Sequence, residues 1–170
     1  MPIYMKFGDG PDVKGDVSDE GYQGWISLRD ATQGASRPMN PNYGSGTDRG
    51  VGDACCSEYM ITKDLDMASV KIKEAFYNAK KDAKAAKTVK ITTVLANGST
   101  YSDVLSNCLI SGYSTRFSKD EGSGAVNMSE QITLNYTAIQ HEAIPLLPEN
   151  TPGEPVRISY DLTTPQSGAK

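Results

Sequence analysis

The chain has 170 residues and a mass of 18.3 kDa, the size of one domain, and such a chain buries roughly 70% of its unfolded surface without metal or disulfide staples. Its 38% hydrophobic and 22% charged residues, with 16 Gly and 9 Pro, exclude collagen, a coiled coil and a natively unfolded tail. A mean hydropathy of -0.45 and the lack of any run near 18 apolar residues exclude a membrane-spanning helix, and a net charge of -4 supplies no global positive field for nucleic acid or an anionic membrane.

In chain order, residues 3–7 and 25–28 are short strand candidates. The opening residues carry no basic stretch followed by an apolar run, so no cleavable secretory signal is expected. Residues 39–52 hold four Gly and one Pro and form a loop far longer than the usual connection between adjacent strands. A strand at 58–62 follows. Ile72, Ala75, Phe76 and Ala79, spaced i, i+3, i+4, i+7, predict an amphipathic helix over about 67–83, capped by Asp66 or Ser69. Val89, Ile91, Thr93 and Leu95 interleave with Lys90 and Thr92 in the period-two pattern of a half-buried strand. Asn97-Gly98 then predicts a hairpin with a return strand over 101–113. Ile132, Leu134 and Tyr136 alternate with Gln131, Thr133, Asn135 and Thr137, an apolar face backed by an uncharged polar one. Residues 145–155 carry four prolines and are expected as an extended linker to a last strand at 156–162, with a frayed tail over 164–170. The chain is mostly β, a single domain over 1–170 with one helix, which in a β chain usually covers an open end or face of a barrel.

Residues able to do chemistry are sparse. Cys55, Cys56, Cys108 and the only histidine, His141, are nominally four zinc ligands, but neighbours on a strand point to opposite faces, so Cys55 and Cys56 do not turn to one metal without distortion. The low, odd cysteine count suits folding in a reducing compartment rather than a disulfide scaffold. His141 beside Glu142 reads as a surface or hydrogen-bonded residue, not a catalytic base. Asp9, Asp12, Asp16, Asp19 and Glu20 lack calcium-loop spacing and read as a solvated turn. Phosphate-loop, dinucleotide-fingerprint, zincin and nucleophile-elbow motifs are absent from the sequence, so no enzyme activity, cofactor or metal is expected. Lys71, Lys73, Lys80, Lys81, Lys84, Lys87 and Lys90 are opposed over that stretch only by Glu74 and Asp82. Such a run is either the wet face of a helix or a stripe that docks on an acidic partner.

Several blocks, in order, resemble one family. Ile-Tyr-Met-Lys-Phe-Gly-Asp at 3–9, Val-Lys-Gly-Asp-Val at 13–17 and Gly-Tyr-Gln-Gly-Trp-Ile at 21–26 resemble the start of the haemolysin-coregulated proteins (Hcp), tube proteins of type VI secretion. Ser-Glu-Tyr-Met-Ile-Thr-Lys-Asp-Leu-Asp-Met-Ala-Ser at 57–69 is similar to that family's strand running into its helix. Cys-Leu-Ile-Ser-Gly-Tyr-Ser at 108–114 and Ser-Glu-Gln-Ile-Thr-Leu-Asn-Tyr-Thr at 129–137 resemble two late strands. Gly10 to Asp12 look like a small insertion beside that pattern.

The resemblance implies a compact β-barrel of antiparallel strands flanked by the one helix, six copies of which form a ring. Rings stack into a tube that a contracting sheath expels with effector proteins, so the protein is cytoplasmic before assembly and then secreted. The implied partners are copies of itself, sheath, baseplate or tip-spike proteins, and effectors. A phage-tail tube protein shares the same logic, and a secreted carbohydrate-binding β-sandwich is a weaker alternative because Trp25, the only Trp, lies in an apolar run. On the tube reading, the 39–52 loop supplies a ring-to-ring contact through Tyr43, Asp48 and Arg49, and Lys80, Lys81 and Lys84 meet the sheath or another acidic partner. The face of Gln131, Thr133, Asn135 and Thr137 lines the lumen or a subunit boundary; alternation alone leaves both open.

Overall fold

The computed structural model describes residues 1–9, 13–40, 50–79, 86–119, 121–122, 124–149, 151–164 and 166–169. Along them run β1 (Ile3–Phe7), β2 (Ile26–Leu28), β3 (Asp30–Thr32), β4 (Ala35–Ser36), β5 (Met39–Asn40), β6 (Gly50–Val51), β7 (Cys55–Cys56) and β8 (Tyr59–Asp64). Then follow α1 (Ser69–Asn78), β9 (Lys87–Val94), β10 (Thr100–Lys119), β11 (Val126–Asn135), β12 (Ala138–Ile144), β13 (Val156–Asp161) and β14 (Gln166–Ala169).

The strand pairings are all antiparallel; β4 pairs with β7 and β5 with β6 as short ribbons, and the other ten strands fall into two sheets around one core. Sheet 1 holds β2, β1, β9, the first half of β10, β12, β13 and β14; sheet 2 holds the second half of β10, β11, β8 and β3. The expected antiparallel β fold with one helix is present, and among the described residues the strand pairing does not close into a barrel but runs as these two sheets sharing two corners. At one corner β10 changes partner, pairing β12 up to Ser106 and β9 up to Cys108, then β11 from Leu109 onward. The register slips between Leu105 and Cys108, where Asn107 takes φ 50°, a left-handed conformation that asparagine tolerates better than most residues. At the other corner β2 pairs β1 and β3 pairs β8, while Arg29 between them donates its amide to Thr62 O at 2.8 Å. Strands that switch sheets through a bulge are the usual way to turn such corners.

Alternation fills the space between. Met5 and Ile26 from sheet 1 and Ile61, Ile132 and Leu134 from sheet 2 are fully buried, joined by Val89, Leu105 and Ile139. The helix begins two residues later than expected, at Ser69, and lays Ala68 and Ile72 into this core with Ala75 and Phe76 half-buried beside them. Asp66 prepares its entry: Oδ1 accepts from the Ala68 amide at 3.0 Å, while Ser69 Oγ accepts from the Asp66 amide at 3.1 Å. Past Ala79, the expected helix end at 80–83 lies outside the described residues.

Three connections differ in detail from expectation. The 96–98 turn has only Gly98 in the left-handed region, at φ +80°, with Gly98 N donating to Leu95 O and Leu95 N to Ser99 O. That is a type I turn closed by a glycine bulge rather than the mirror-image turn favoured by Asn-Gly. Residues 145–155, expected as an extended linker, fold back instead: Leu147 N donates to Thr151 O at 2.9 Å and Gly153 N to Pro145 O at 2.7 Å. Gly153 permits this closeness, since a Cβ there would stand 2.9 Å from Pro145 Cγ. The segment after Thr164 carries β14, paired with β13.

Between α1 and sheet 2 lies a charged cluster whose central pair has no access to water. Lys63 and Glu130 are both fully buried, 3.0 Å apart from Nζ to Oε2 on neighbouring strands. Lys63 Nζ also meets Asp66 Oδ1 at 2.7 Å and donates to Asp64 O and Ser69 Oγ, while Ser69 Oγ donates to Glu130 Oε2 at 2.6 Å. Burial pushes the Glu130 carboxyl up, but the hydrogen bonds from Ser69 and Lys63, the Lys63 charge and the adjacent Tyr113 hydroxyl outweigh it and hold it below its ordinary value. Replacing Glu130 by Leu leaves a buried ammonium short of a partner and is expected to cost about 3–5 kcal/mol in urea unfolding, whereas Lys63→Met with Glu130→Leu recovers much of that loss. Because the folded carboxyl sits below its unfolded value of 4.5, its contribution is complete above that pH and fades as pH falls through the folded value. Glu130→Gln should therefore flatten the acid limb of the stability curve.

Candidate functional site

Sheet 2 turns its outer face away from the core, and that face is polar. Gln131 and Asn135 of β11 are exposed and Thr133 is half-buried, while Ile132 and Leu134 between them are fully buried. Thr62 pairs with Gln131 and Met60 with Thr133 from β8, and Ser111 and Ser114 come from β10. The side chains brace one another: Gln131 Nε2 donates to Met60 Sδ at 2.9 Å, Asn135 Nδ2 to Glu58 Oε1 at 3.1 Å, and Ser111 Oγ to Thr133 O at 3.3 Å. Formal charge stands around these rows: Asp30 of β3, paired with Thr62, Glu58 beside Asn135, Arg116, and the Arg29–Asp64 pair at 2.8 Å.

Of the four residues expected on this face, Gln131, Thr133 and Asn135 share it. Thr137 does not: it follows the end of β11, with its amide donating to Ser106 O and its carbonyl accepting from Leu162 N, in the turn toward β12. The period-two pattern ran one residue pair past the strand. In the 39–52 segment, β5 and β6 pair with each other, while Tyr43, Asp48 and Arg49 lie outside the described residues, as do Lys80, Lys81 and Lys84. Of the lysines that are described, Lys73 lies 3.6 Å from Glu130 Oε1 and Lys90 3.6 Å from Glu142 Oε1.

The cysteines and the histidine do not converge. Cys55 is exposed on β7, Cys56 half-buried and Cys108 buried in sheet 1, all as free thiols. Burial pushes the Cys108 thiol up to about 12. His141 Nδ1 stands 2.6 Å from Asp103 Oδ1, and Asp103 Oδ2 accepts from the Tyr59 hydroxyl at 2.9 Å, a chain that ties β12 to β10 and β8. Among the described residues no group of three or more His, Cys, Asp or Glu is placed to hold a metal ion. The site residues that the sequence did not disclose are Met60, Thr62, Ser111 and Ser114, whose grouping depends on register across three strands.

The comparisons with known proteins bear on this surface. A family profile described as "Type VI secretion system effector, Hcp" matches residues 4–142. The chain belongs to the Hcp family. As an Hcp protein it is a subunit of the type VI secretion tube, and the family forms rings of six. Among solved structures, one described as a type six secretion system protein superposes with a TM-score of 0.77 at 20% identity, covering 98% of this chain and 99% of that one. Hcp1 from Salmonella typhimurium gives 0.68 at 15% identity, covering 98% of both chains. A type VI secretion system effector from Yersinia pestis gives 0.61 at 12% identity, covering 94% of this chain and 98% of that one. These likenesses show the Hcp fold over nearly the full length. No curated protein matches the sequence.

The three thiols give a direct check on this placement. In native protein an alkylating reagent followed by mass spectrometry should label Cys55 fastest and Cys56 more slowly, and should reach Cys108 only after denaturation.

Proposed function

We propose that this chain is a non-catalytic wall segment of the secretion tube, in which sheet 2 turns its polar outer face to the lumen and effectors travel against it. The observation that supports this most is the contrast between that face and its margins. The face presents mostly hydroxyls and amides, with Met60 and Leu109 among them, while two of its edges, β3 and the second half of β10, each pair on one side only among the described residues. Unpaired strand edges expose backbone donors and acceptors that a neighbouring copy can satisfy, and a head-to-tail contact of this kind closes into a ring. The two central rows, Thr62–Gln131–Ser114 and Met60–Thr133–Gly112, hold no fixed charge for a cargo protein to bind strongly, and the charges of Asp30, Glu58, Arg116 and the Arg29–Asp64 pair stand around them.

The remaining contacts of the proposal rest on the sequence. The 39–52 loop, through Tyr43, Asp48 and Arg49, touches the facing ring; Lys80, Lys81 and Lys84 meet an acidic surface of sheath, baseplate or tip-spike proteins. The protein is made in the cytoplasm and leaves through the type VI apparatus with its effectors. It performs no chemistry of its own.

Purified protein should sediment as six 18.3 kDa chains, about 110 kDa, at tens of micromolar in mild salt. A monomer alone under those conditions overturns the reading. Replacing residues 40–50 with a short Gly-Ser turn should leave that ring intact while abolishing stacking in electron micrographs and secretion into the medium. Charge reversal at Lys80, Lys81 and Lys84 should block secretion and likewise spare the ring.

A further inference from the structure

In both sheets the core face continues past the point where this chain covers it. On the inner face of sheet 2 the strand register sets out rows across β8, β11 and β10. Ile61, Ile132 and Tyr113 form one row, the first two fully buried. Lys63, Glu130 and Thr115 form the next, sealed by α1. The third is apolar again and open: Leu65, whose amide donates to Met128 O, is 55% exposed, and Phe117, paired with Met128, is 69% exposed. Val126, at the end of β11 on the same side, is 66% exposed. Beyond the last pairing of β11 with β8, at Ser129 and Asp64, β10 and β11 run on alone as a two-stranded arm carrying this shelf.

Sheet 1 does the same at its far side. Ile139 is buried opposite a half-buried Tyr160, but the next pairs on that face, His141 with Ile158 and Ala143 with Val156, emerge into solvent. Ile158 is half exposed and Val156 more so, and Tyr101, opposite Ala143 on β10, lies open beside them. Tyr101 and Phe117 stand near opposite ends of β10, so roughly 50 Å of strand contour separates the two patches.

Contiguous apolar surface rimmed by polar groups marks an interaction site on a protein that lives in water. The two patches are unlike and sit at opposite ends of one strand. A twofold contact uses a single self-complementary patch, whereas a ring needs two different surfaces that meet head to tail. We propose that the Leu65–Phe117–Val126 shelf of one copy docks on the Tyr101–Val156–Ile158 patch of the next, forming the apolar contact between neighbours in the ring. This rests on the ring reading of the previous subsection and names the surfaces that make it. The shelf borders the unpaired edge of β10, so the side chains and the strand edge belong to one continuous surface.

The test uses two single variants, each disabling one patch. Phe117→Asp retains the sheet 1 patch, and Ile158→Asp retains the shelf. Both side chains are exposed, so melting temperature and circular dichroism should match the parent. Each variant alone should sediment as monomer at concentrations where the parent forms rings, with association weakened about 30-fold or more, as at an interface hot spot. Mixed in equal amounts, the two retain one intact pair of patches between them and should give a dimer of about 37 kDa and nothing larger. Phe117→Ser with Ile158→Ser should repeat the pattern without an added charge. Rings from either variant alone, or a mixture that stays monomeric, overturn the proposed docking while the ring itself stands. A parent protein that never forms rings overturns the tube reading as well.

Discussion

The Lys63 ammonium is fully buried, so each of its N–H groups must find an acceptor inside the protein, and the acceptors come from three different places: Asp64 on its own strand, Glu130 on the neighbouring strand, and Asp66 with Ser69 at the start of α1. A desolvated charge tolerates little slack in such an arrangement. It fixes the β8–β11 register from the side, because a one-residue slip turns Glu130 to the outer face and leaves the ammonium short of its partner. It also fixes where the helix begins, because Ser69 is at once a ligand of the cluster and the first residue of α1. The polar outer face of sheet 2 inherits its order from this. Gln131 stands beside Thr62 because Glu130 stands beside Lys63.

The corners have a comparable influence on sheet 1. A molecule built from one continuous sheet would present its strands in one direction; here β10 leaves sheet 1 at Asn107 and enters sheet 2 with its face alternation reset by the bulge. The same strand thus buries Leu105 and Cys108 in sheet 1 and offers Ser111 and Ser114 to the outer face of sheet 2. Corner, cluster and polar face are successive consequences of a few backbone positions.

Much of this was legible in the residue pattern, and the gaps have physical causes. The alternation at 131–136 gave the buried and exposed faces of β11 because each side of that strand meets a different environment. The stripe of Ile72, Ala75 and Phe76 gave the helix face for the same reason. Lys63 and Glu130 escaped notice because they are 67 residues apart and each looks like an ordinary strand charge; only register brings them together. Thr137 continues the polar alternation but lies beyond β11, because that alternation does not stop where a strand does. Proline's local preference points to an extended 145–155 segment, whereas the fold-back depends on Gly153 accepting Pro145 at close range. The family itself was legible in ordered blocks whose individual residues serve core, turn and register.

The continuity of β10 bears on how the molecule carries load. A hydrogen-bonded ladder between two sheets yields to shear one bond at a time, but here one boundary is crossed by a single polypeptide of 20 residues. The other is crossed by residues 26–32, also without a break in the chain. Force applied to one sheet therefore reaches the other through peptide bonds, with the ladders serving to keep those two covalent braces straight. Failure under tension must begin by peeling a strand from its neighbour, far from either corner.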